Sequence, residues 1–175
     1  MRIPRLAAIA AIIVSACVVT VGASPSTIVL AAPAQVDIVG PSGSEAFGQT
    51  VLVLSNGNFA VADPFFDLPG VSDVGQVSLY NGADNSLISR VTGTSEFDKV
   101  GSTELLEVGT SDFVIISRFW ANPAGPFIAA GAVTWVDGSA GLNGMVSAAN
   151  SLVGTSSGEF LGRPSRRPTS PRLPR

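Results

Sequence analysis

The sequence has no histidine and only one cysteine among its 175 residues. Without histidine the chain lacks the commonest general base, and a Ser-His-Asp or Cys-His catalytic arrangement is excluded. The same scarcity excludes zinc sites built from cysteine and histidine, and a single thiol cannot form a disulfide within the chain. The chemistry that remains open is a carboxylate pair, a serine-lysine pair or a cation site made of oxygen ligands.

The N-terminus has the three regions of a secretory signal. Arg2 and Arg5 precede an apolar run over residues 6–21, and small and polar residues follow it. The run is shorter than the stretch of about 20 residues that a membrane-spanning helix needs. We therefore expect export, with residues 1–34 as signal peptide and linker and with cleavage after Ala23 or at the end of this segment. An uncleaved anchor is the alternative.

The one cysteine lies inside this apolar run. The segment Val14-Ser15-Ala16-Cys17 resembles the lipobox of bacterial lipoproteins, in which the cysteine is acylated. That resemblance implies possible lipidation at Cys17. Apolar residues continue beyond the cysteine, however, and this favours the interpretation of Cys17 as one more small residue of the signal.

Charge is divided unevenly along the chain. Residues 35–162 hold all 13 acidic residues but only three basic ones, Arg90, Lys99 and Arg118, so their net charge is about −10. Nucleic acids and anionic lipids attract basic patches, so neither is an expected partner. Residues 163–175 contain five arginines and four prolines, a composition that predicts a disordered tail.

One glycine-bounded segment occurs three times, at residues 40–48, 93–101 and 154–162. Between these copies, residues 51–61 align with 105–115, and residues 75–82 align with 131–138. The offset between aligned residues grows from 53 to 61 along the unit, as insertions in loops between strands would require. Such internal periodicity is typical of repeat architectures.

Each unit contains four short apolar or alternating segments, which in the first unit are residues 51–54, 58–62, 76–80 and 87–92. Segments of this length between turn residues predict β-strands. Asn56-Gly57 predicts a tight hairpin, and Asn81-Gly82 and Asp137-Gly138 suggest two more. A four-stranded unit of this size matches the blade of a β-propeller.

The fold prediction is therefore an all-β domain over residues 35–162, built from propeller-like repeats. Its units span about 40–92 and 93–153, with a partial third unit over 154–162. The first two copies of the glycine-bounded segment lead into strands, whereas the third leads into Arg163-Pro164. Since proline removes an amide donor that a central strand needs, we expect a shortened member of a longer array, with uncovered edges that favour self-association.

Three stretches, residues 56–64, 131–135 and 146–154, resemble a family of bacterial surface repeats of unknown function found in filamentous-haemagglutinin-like proteins. More distantly, each unit resembles an FG-GAP blade of the integrin-type propeller, with Phe47-Gly48 at its opening. These resemblances imply a surface location and a propeller-like fold, and they imply no activity.

FG-GAP blades often bind calcium in a loop rich in aspartate. The corresponding loops here, residues 55–58 and 109–112, offer one carboxylate at most. Because calcium takes about six to eight oxygen ligands, we predict no metal site and no cofactor.

Two catalytic arrangements remain to be weighed. Asp63, Asp67 and Asp73 lie close in sequence, but next to proline and glycine they are more typical of turns than of a catalytic carboxylate cluster. A serine-lysine mechanism would require Lys99 to be desolvated, whereas the adjacent Asp98 would keep it charged. We therefore assign no catalytic residue.

Aromatic residues concentrate at equivalent places in the two units, namely Phe65, Phe66, Phe119 and Trp120. If exposed, they would form a contact patch for a sugar or a peptide. Equivalent aromatics in repeats more often pack between neighbouring units, and we expect these to belong to the core.

The sequence thus favours a non-enzymatic secreted or cell-surface module for adhesion or structural display, with an unidentified glycan or protein as ligand. The alternatives are a glycan-processing enzyme that uses two carboxylates and a truncated gene product without function.

Overall fold

The computed structural model of the chain describes residues 35–162, and within them all regular structure is β. There are nine strands in this part of the chain: β1 (Thr50–Val53), β2 (Phe59–Asp63), β3 (Gln76–Tyr80), β4 (Leu87–Thr92), β5 (Glu104–Val108), β6 (Asp112–Ser117), β7 (Ala132–Val136), β8 (Gly144–Met145) and β9 (Ser151–Val153). The all-β prediction is confirmed. No helix in the described part is long and apolar enough to span a membrane.

The strands form two sheets. Sheet 1 has the order β1-β2-β3-β4-β8, and sheet 2 has the order β5-β6-β7-β9. Strands β1 to β4 form an antiparallel meander, as do β5 to β7, with β9 antiparallel to β7. The four segments predicted for the first repeat coincide with β1 to β4 to within a residue at their ends.

The predicted tight turn at Asn56-Gly57 is present. Gly57 has φ of 89° and donates its amide to the carbonyl of Leu54, and Leu54 in turn donates to Asn58. The loop that begins at Asn81 is longer, since Asn81 donates its amide to the carbonyl of Ser86. The β3–β4 connection is therefore a hairpin, but not a two-residue one.

The hairpin suggested at Asp137-Gly138 is wrong. The strand that follows, β8, pairs in parallel with β4 of the first repeat, through Val91 with Gly144 and Thr92 with Met145. The Asp137 carboxylate accepts the backbone amides of Ser139 and Ala140, and these hydrogen bonds turn the chain away from β7. The residues that lengthen the second repeat relative to the first thus form a strand that joins sheet 1.

Further contacts hold this crossing segment to the first repeat. Ser89 Oγ accepts the amide of Leu142 at 3.1 Å, and the Asn143 side-chain oxygen accepts the amide of Arg90 at 3.1 Å. Val146, 1% exposed, enters the hydrophobic core beside β4. The insertion therefore ties the second repeat to the outer strand of the first.

The core lies between the two sheets. A single cluster of buried side chains joins Ala60, Val77 and Leu79 of sheet 1 to Phe113 and Ile115 of sheet 2. Because sheet 1 has few bulky groups on β2, the aromatic and branched residues of β6 pack against it closely. The burial of one repeat against the next is the arrangement expected for stacked repeats.

The glycine-bounded segments repeat their contacts as well as their sequence. Residues 97–100 donate three backbone amides to residues 72–74, and Gly93 donates to Gly75. Residues 158–161 donate in the same way to residues 128–130, and Gly154 donates to Gly131. The second copy therefore covers the first repeat just before β3, and the third copy covers the second repeat just before β7. We call this the lower end of each repeat.

The predicted signal segment and linker, with Cys17, and the predicted tail over residues 163–175 lie outside the described residues.

Candidate contact surface

The outer face of sheet 2 is apolar and partly uncovered, with Ile116 at 9% exposure and Val114 and Val133 half-buried. It consists of six side chains, which we call the distal face: Leu106, Val114, Ile116, Val133, Trp135 and Leu152. Cross-strand partners share one face of a sheet. The register forms two rows on this face: Leu106, Val114 and Trp135 make up one, and Ile116, Val133 and Leu152 the other. Trp135 is 54% exposed, Leu152 68% and Leu106 41%. Contiguous apolar surface of this kind marks an interaction site.

The corresponding face of sheet 1 is buried. Its members, in the same order, are Leu52, Ala60, Ala62, Val77, Leu79 and Val91, and the register joins them by the same pattern of cross-strand pairs. Five of the six are in the core at 2% exposure or less, and Leu52 packs against that core. The difference is that the second repeat covers this face, whereas residues 35–162 place no further strands over the distal face.

At its lower end the distal face is partly closed. A Cβ built on Gly162 would lie 2.5 Å from Ile116 Cγ2 and 3.3 Å from Val133 Cγ2, so the third glycine-bounded segment reaches this end of the sheet. The accessible part therefore consists of Leu106 and Trp135 towards the β5–β6 turn and of Leu152 on the edge strand β9.

The clustered aromatic residues divide into two groups. Trp120 is fully buried and Phe66 is 7% exposed, which confirms the prediction that they belong to the core. Phe65 and Phe119 are half-buried, and each is covered by a cation. Lys99 Nζ lies 4.5 Å from the ring centroid of Phe65, and the Arg118 guanidinium lies 4.4 Å from that of Phe119. These four residues therefore do not form an aromatic contact patch.

The three aspartates near the end of β2 act within loops. Asp63 is fully buried and accepts the amide of Ala46 at 3.0 Å, and Asp67 accepts the amide of Asp73 at 2.7 Å. Asp73 forms a salt bridge to Lys99 at 3.3 Å. Only the Asp67 contact is local, as the turn interpretation requires, because Asp63 lies in β2 and reaches back 17 residues and Asp73 pairs with the distant Lys99. A cavity of about 210 Å³ beside Asp67, lined also by Ser42 and Pro69, brings no second carboxylate to it.

Lys99 forms its salt bridge with Asp73 and not with the adjacent Asp98. Its ammonium contacts Asp73 across the loop and lies over Phe65, with 25% of the side chain exposed. Asp98 instead points inward, because Lys99 has φ of 47° and the chain turns sharply there.

Asp98 ties the glycine-bounded segment 93–101 to the loop after β6. It is 1% exposed and accepts the amides of Thr94 and Ser95 through one carboxylate oxygen and that of Ala121 through the other, each at 2.8 Å. Burial raises the pKa of Asp98 above 3.8, although these amides and the Thr94 hydroxyl act in the opposite direction. Glu159 repeats part of the pattern by accepting the amides of Thr155 and Ser156.

This pKa gives a pH dependence with a definite sign. Since the folded protein holds the Asp98 proton to higher pH than the unfolded chain, its contribution to stability is complete below the unfolded pKa, near 3.8, and is lost as pH rises through the folded pKa. We expect the free energy of unfolding of the wild type, minus that of Asp98→Asn, to fall as pH rises from 3.5 to 6. Urea unfolding across this range measures it, and a difference that grows with pH would contradict it.

The loops at the calcium-loop positions hold one repeat to the other. The side-chain amides of Asn56 and Asn58 both donate to the carbonyl of Gly138, at 3.0 and 2.8 Å, and the amide of Ser55 donates to the Glu107 carboxylate. Among residues 35–162, no three acidic or other metal-ligating side chains are grouped. The absence of a calcium requirement stays a prediction.

Sequence reasoning missed the distal face, because its residues are spread over four strands and form no local cluster. A signal was present in the aligned repeats, where Leu106 stands opposite Leu52, Val114 opposite Ala60 and Trp135 opposite Leu79. The second repeat has the larger residue at the latter two positions. That difference is visible once the register shows which positions share a face.

Two segments of the chain, residues 53–102 and 107–163, match the model of a family described as a repeat of unknown function, DUF5650. The first segment contains β2 to β4 and the second contains β6 to β9, and together the two cover more than half of the chain. The chain matches no curated protein. It therefore belongs to the DUF5650 family of repeats of unknown function.

Proposed function

We propose that this protein is an exported, non-enzymatic β-repeat module that acts by contact, in adhesion or structural display, through the distal face. The observation that carries the proposal is the exposure of Trp135 on a sheet whose opposite side is fixed in the core. An indole on a rigid surface gives a large contact area at little cost in conformational entropy. The resemblance to bacterial surface repeats supports a location outside the cytoplasm.

The arrangement of the carboxylates supports contact over catalysis. A carboxylate pair for glycoside hydrolysis needs two acidic groups about 5 to 9.5 Å apart on either side of a substrate cleft. Asp63 and Asp98 are buried and hold backbone amides, and Asp73 is occupied by Lys99. A glycan-processing enzyme would therefore need a catalytic pair formed by acidic residues other than these three.

A glycan array tests the contact function directly. Labelled full-length protein is expected to bind a subset of glycans, and Trp135→Ala to bind them at least tenfold more weakly with an unchanged melting temperature. Trp135→Phe, which keeps an aromatic face, is the matched control and should retain most of the affinity. Release of sugar from a bound glycan, lost in Asp67→Asn but not in Trp135→Ala, would favour the enzyme instead.

A further inference from the structure

We propose that the distal face binds the first repeat of a second copy of this chain, so that copies associate head to tail. The inference deepens the proposed function by naming the partner of the same face. It rests on the interface between the two repeats of one chain, which shows what covers this face when a further repeat follows it.

The first step is the equivalence of the faces. Ala60 and Leu79 of the first repeat share one buried core with Phe113 and Ile115 of the second. Their counterparts Val114 and Trp135 present the same cross-strand arrangement to solvent. A surface of this origin faces the opposite side of another DUF5650 repeat, and the larger Val114 and Trp135 would hold that repeat further away than Ala60 and Leu79 hold theirs.

The second step is the presence of the complementary surface. The outer side of sheet 1, which we call the proximal face, includes Val51, Val53 and Phe59, with Tyr80 stacked on Phe59 at 5.4 Å between ring centroids. Val51 is 55% and Val53 67% exposed. Their counterparts in the second repeat include Leu105, which is 5% exposed because it lies against the first repeat. One chain therefore offers both halves of the repeat interface, and the uncovered part of the proximal face is its β1 edge, since Val61 and Tyr80 on the same face are each 5% exposed.

The third step concerns geometry. Because the two faces differ and lie on opposite sides of the two-sheet body, their pairing is heterologous, and such contacts form a closed ring or an open filament. The propeller-like architecture proposed for the repeats favours a ring, in which two to four copies would supply about four to eight units.

The polar contacts show why association between copies is weaker than contact within the chain. Within the chain Asn58 donates to Gly138, and Glu107 accepts the amide of Ser55. Between copies, the place of Asn58 is taken by Asp112 on the distal side, whose carboxylate cannot donate a hydrogen bond. The place of Glu107 is taken by Val53 on the proximal side, whose side chain cannot accept one. Copies would therefore lack these two hydrogen bonds and would rely more on apolar contact.

The lower end of the interface adds a second cost. Residues 154–162 already hold the backbone of residues 128–131, where an incoming copy would place its own residues 40–48. One of these two segments has to move aside on association. Both considerations predict a reversible contact with a micromolar dissociation constant.

A mixing experiment tests the arrangement with full-length protein. Trp135→Glu removes the distal face and Val51→Glu the proximal face, so each variant alone should associate at least tenfold more weakly in analytical ultracentrifugation. An equimolar mixture should form a heterodimer, since one intact face of each kind remains, and native mass spectrometry identifies it by mass. Ala148→Glu, at an exposed turn on neither face, is the control for added charge.

Two further variants restore the missing hydrogen bonds. Asp112→Asn supplies the donor and Val53→Glu the acceptor, and each is expected to tighten association about threefold to tenfold. Glu96→Gln, exposed and remote from both faces, is the charge control for Asp112→Asn. Val53→Glu adds negative charge to an acidic chain, so general repulsion would weaken association rather than strengthen it.

The outcomes separate the possible occupants. Association that Val51→Glu does not affect but Trp135→Glu abolishes would overturn the proposal in favour of distal-to-distal pairing. A wild type that stays monomeric at 100 μM would also overturn it. If that monomer binds glycans through Trp135, the proposed function stands without self-association. If it associates only after removal of residues 163–175, the tail is the occupant and the second copy is not.

Discussion

Replacement of Trp120 by alanine is expected to lower the free energy of unfolding by about 3 to 5 kcal/mol, because it removes a large buried side chain from the core. Trp120 has no solvent exposure and lies in the cluster shared by the two sheets. Urea unfolding followed by far-ultraviolet circular dichroism gives the value.

The other tryptophan provides a matched control with the same change in volume. Trp135 is 54% exposed on the distal face, so Trp135→Ala should alter the free energy of unfolding by about 1 kcal/mol or less. Equal losses for the two variants, measured below the concentration at which copies associate, would show that Trp135 is a core residue and that the distal face is covered.

Replacement of Gly75 by alanine is expected to be still more damaging, at about 4 kcal/mol or more. A Cβ at this position would lie 2.2 Å from the Val100 amide nitrogen, where the chain passes from the first repeat to the second. Gly75 also has φ of 74°, which any other residue adopts at a cost. Both effects act at the backbone, and side-chain rearrangement cannot relieve them.

Gly70→Ala separates the two effects. Gly70 has φ of 79° but no atom within 4 Å of a built Cβ, so only the conformational cost of about 1 to 2 kcal/mol applies. The gap between the two variants therefore measures the close approach of the repeats at Val100. Thermal and urea unfolding of both should show it, and similar losses would mean that the approach is looser than described.

The sequence predicted the strands well because each repeat alternates apolar residues between turn signals. Asn56-Gly57 identified its hairpin, in which Gly57 alone of the pair adopts the left-handed conformation, at the end of a three-residue loop. The pair Asp137-Gly138 carries the same signal but belongs to a chain crossing. At Gly138 glycine is needed because a Cβ would lie against the Ser111 carbonyl, and not because of the dihedral angles of a turn. A local pattern cannot distinguish these two reasons.

Long-range pairing was also beyond the sequence. The extra residues of the second repeat were expected in a loop, whereas Gly144 and Met145 pair with β4, about fifty residues earlier in the chain. A two-residue strand carries no periodicity by which it could be recognised. The roles of Asp98 and Trp135 likewise depend on which loop or sheet faces them, and only the register supplies that information.

The crossing strand β8 has a consequence for inheritance. In sequence, similar segments at residues 40–48, 93–101 and 154–162 mark where unequal recombination could remove one whole repeat. In space those marks do not divide the molecule, because β8 is encoded with the second repeat but completes the sheet of the first. Loss of the second repeat would strip β4 of its neighbour, and loss of the first would leave β8 without a strand to pair. Neither repeat alone would keep all of its strand pairs, so we expect a deletion at these marks to destabilise what remains.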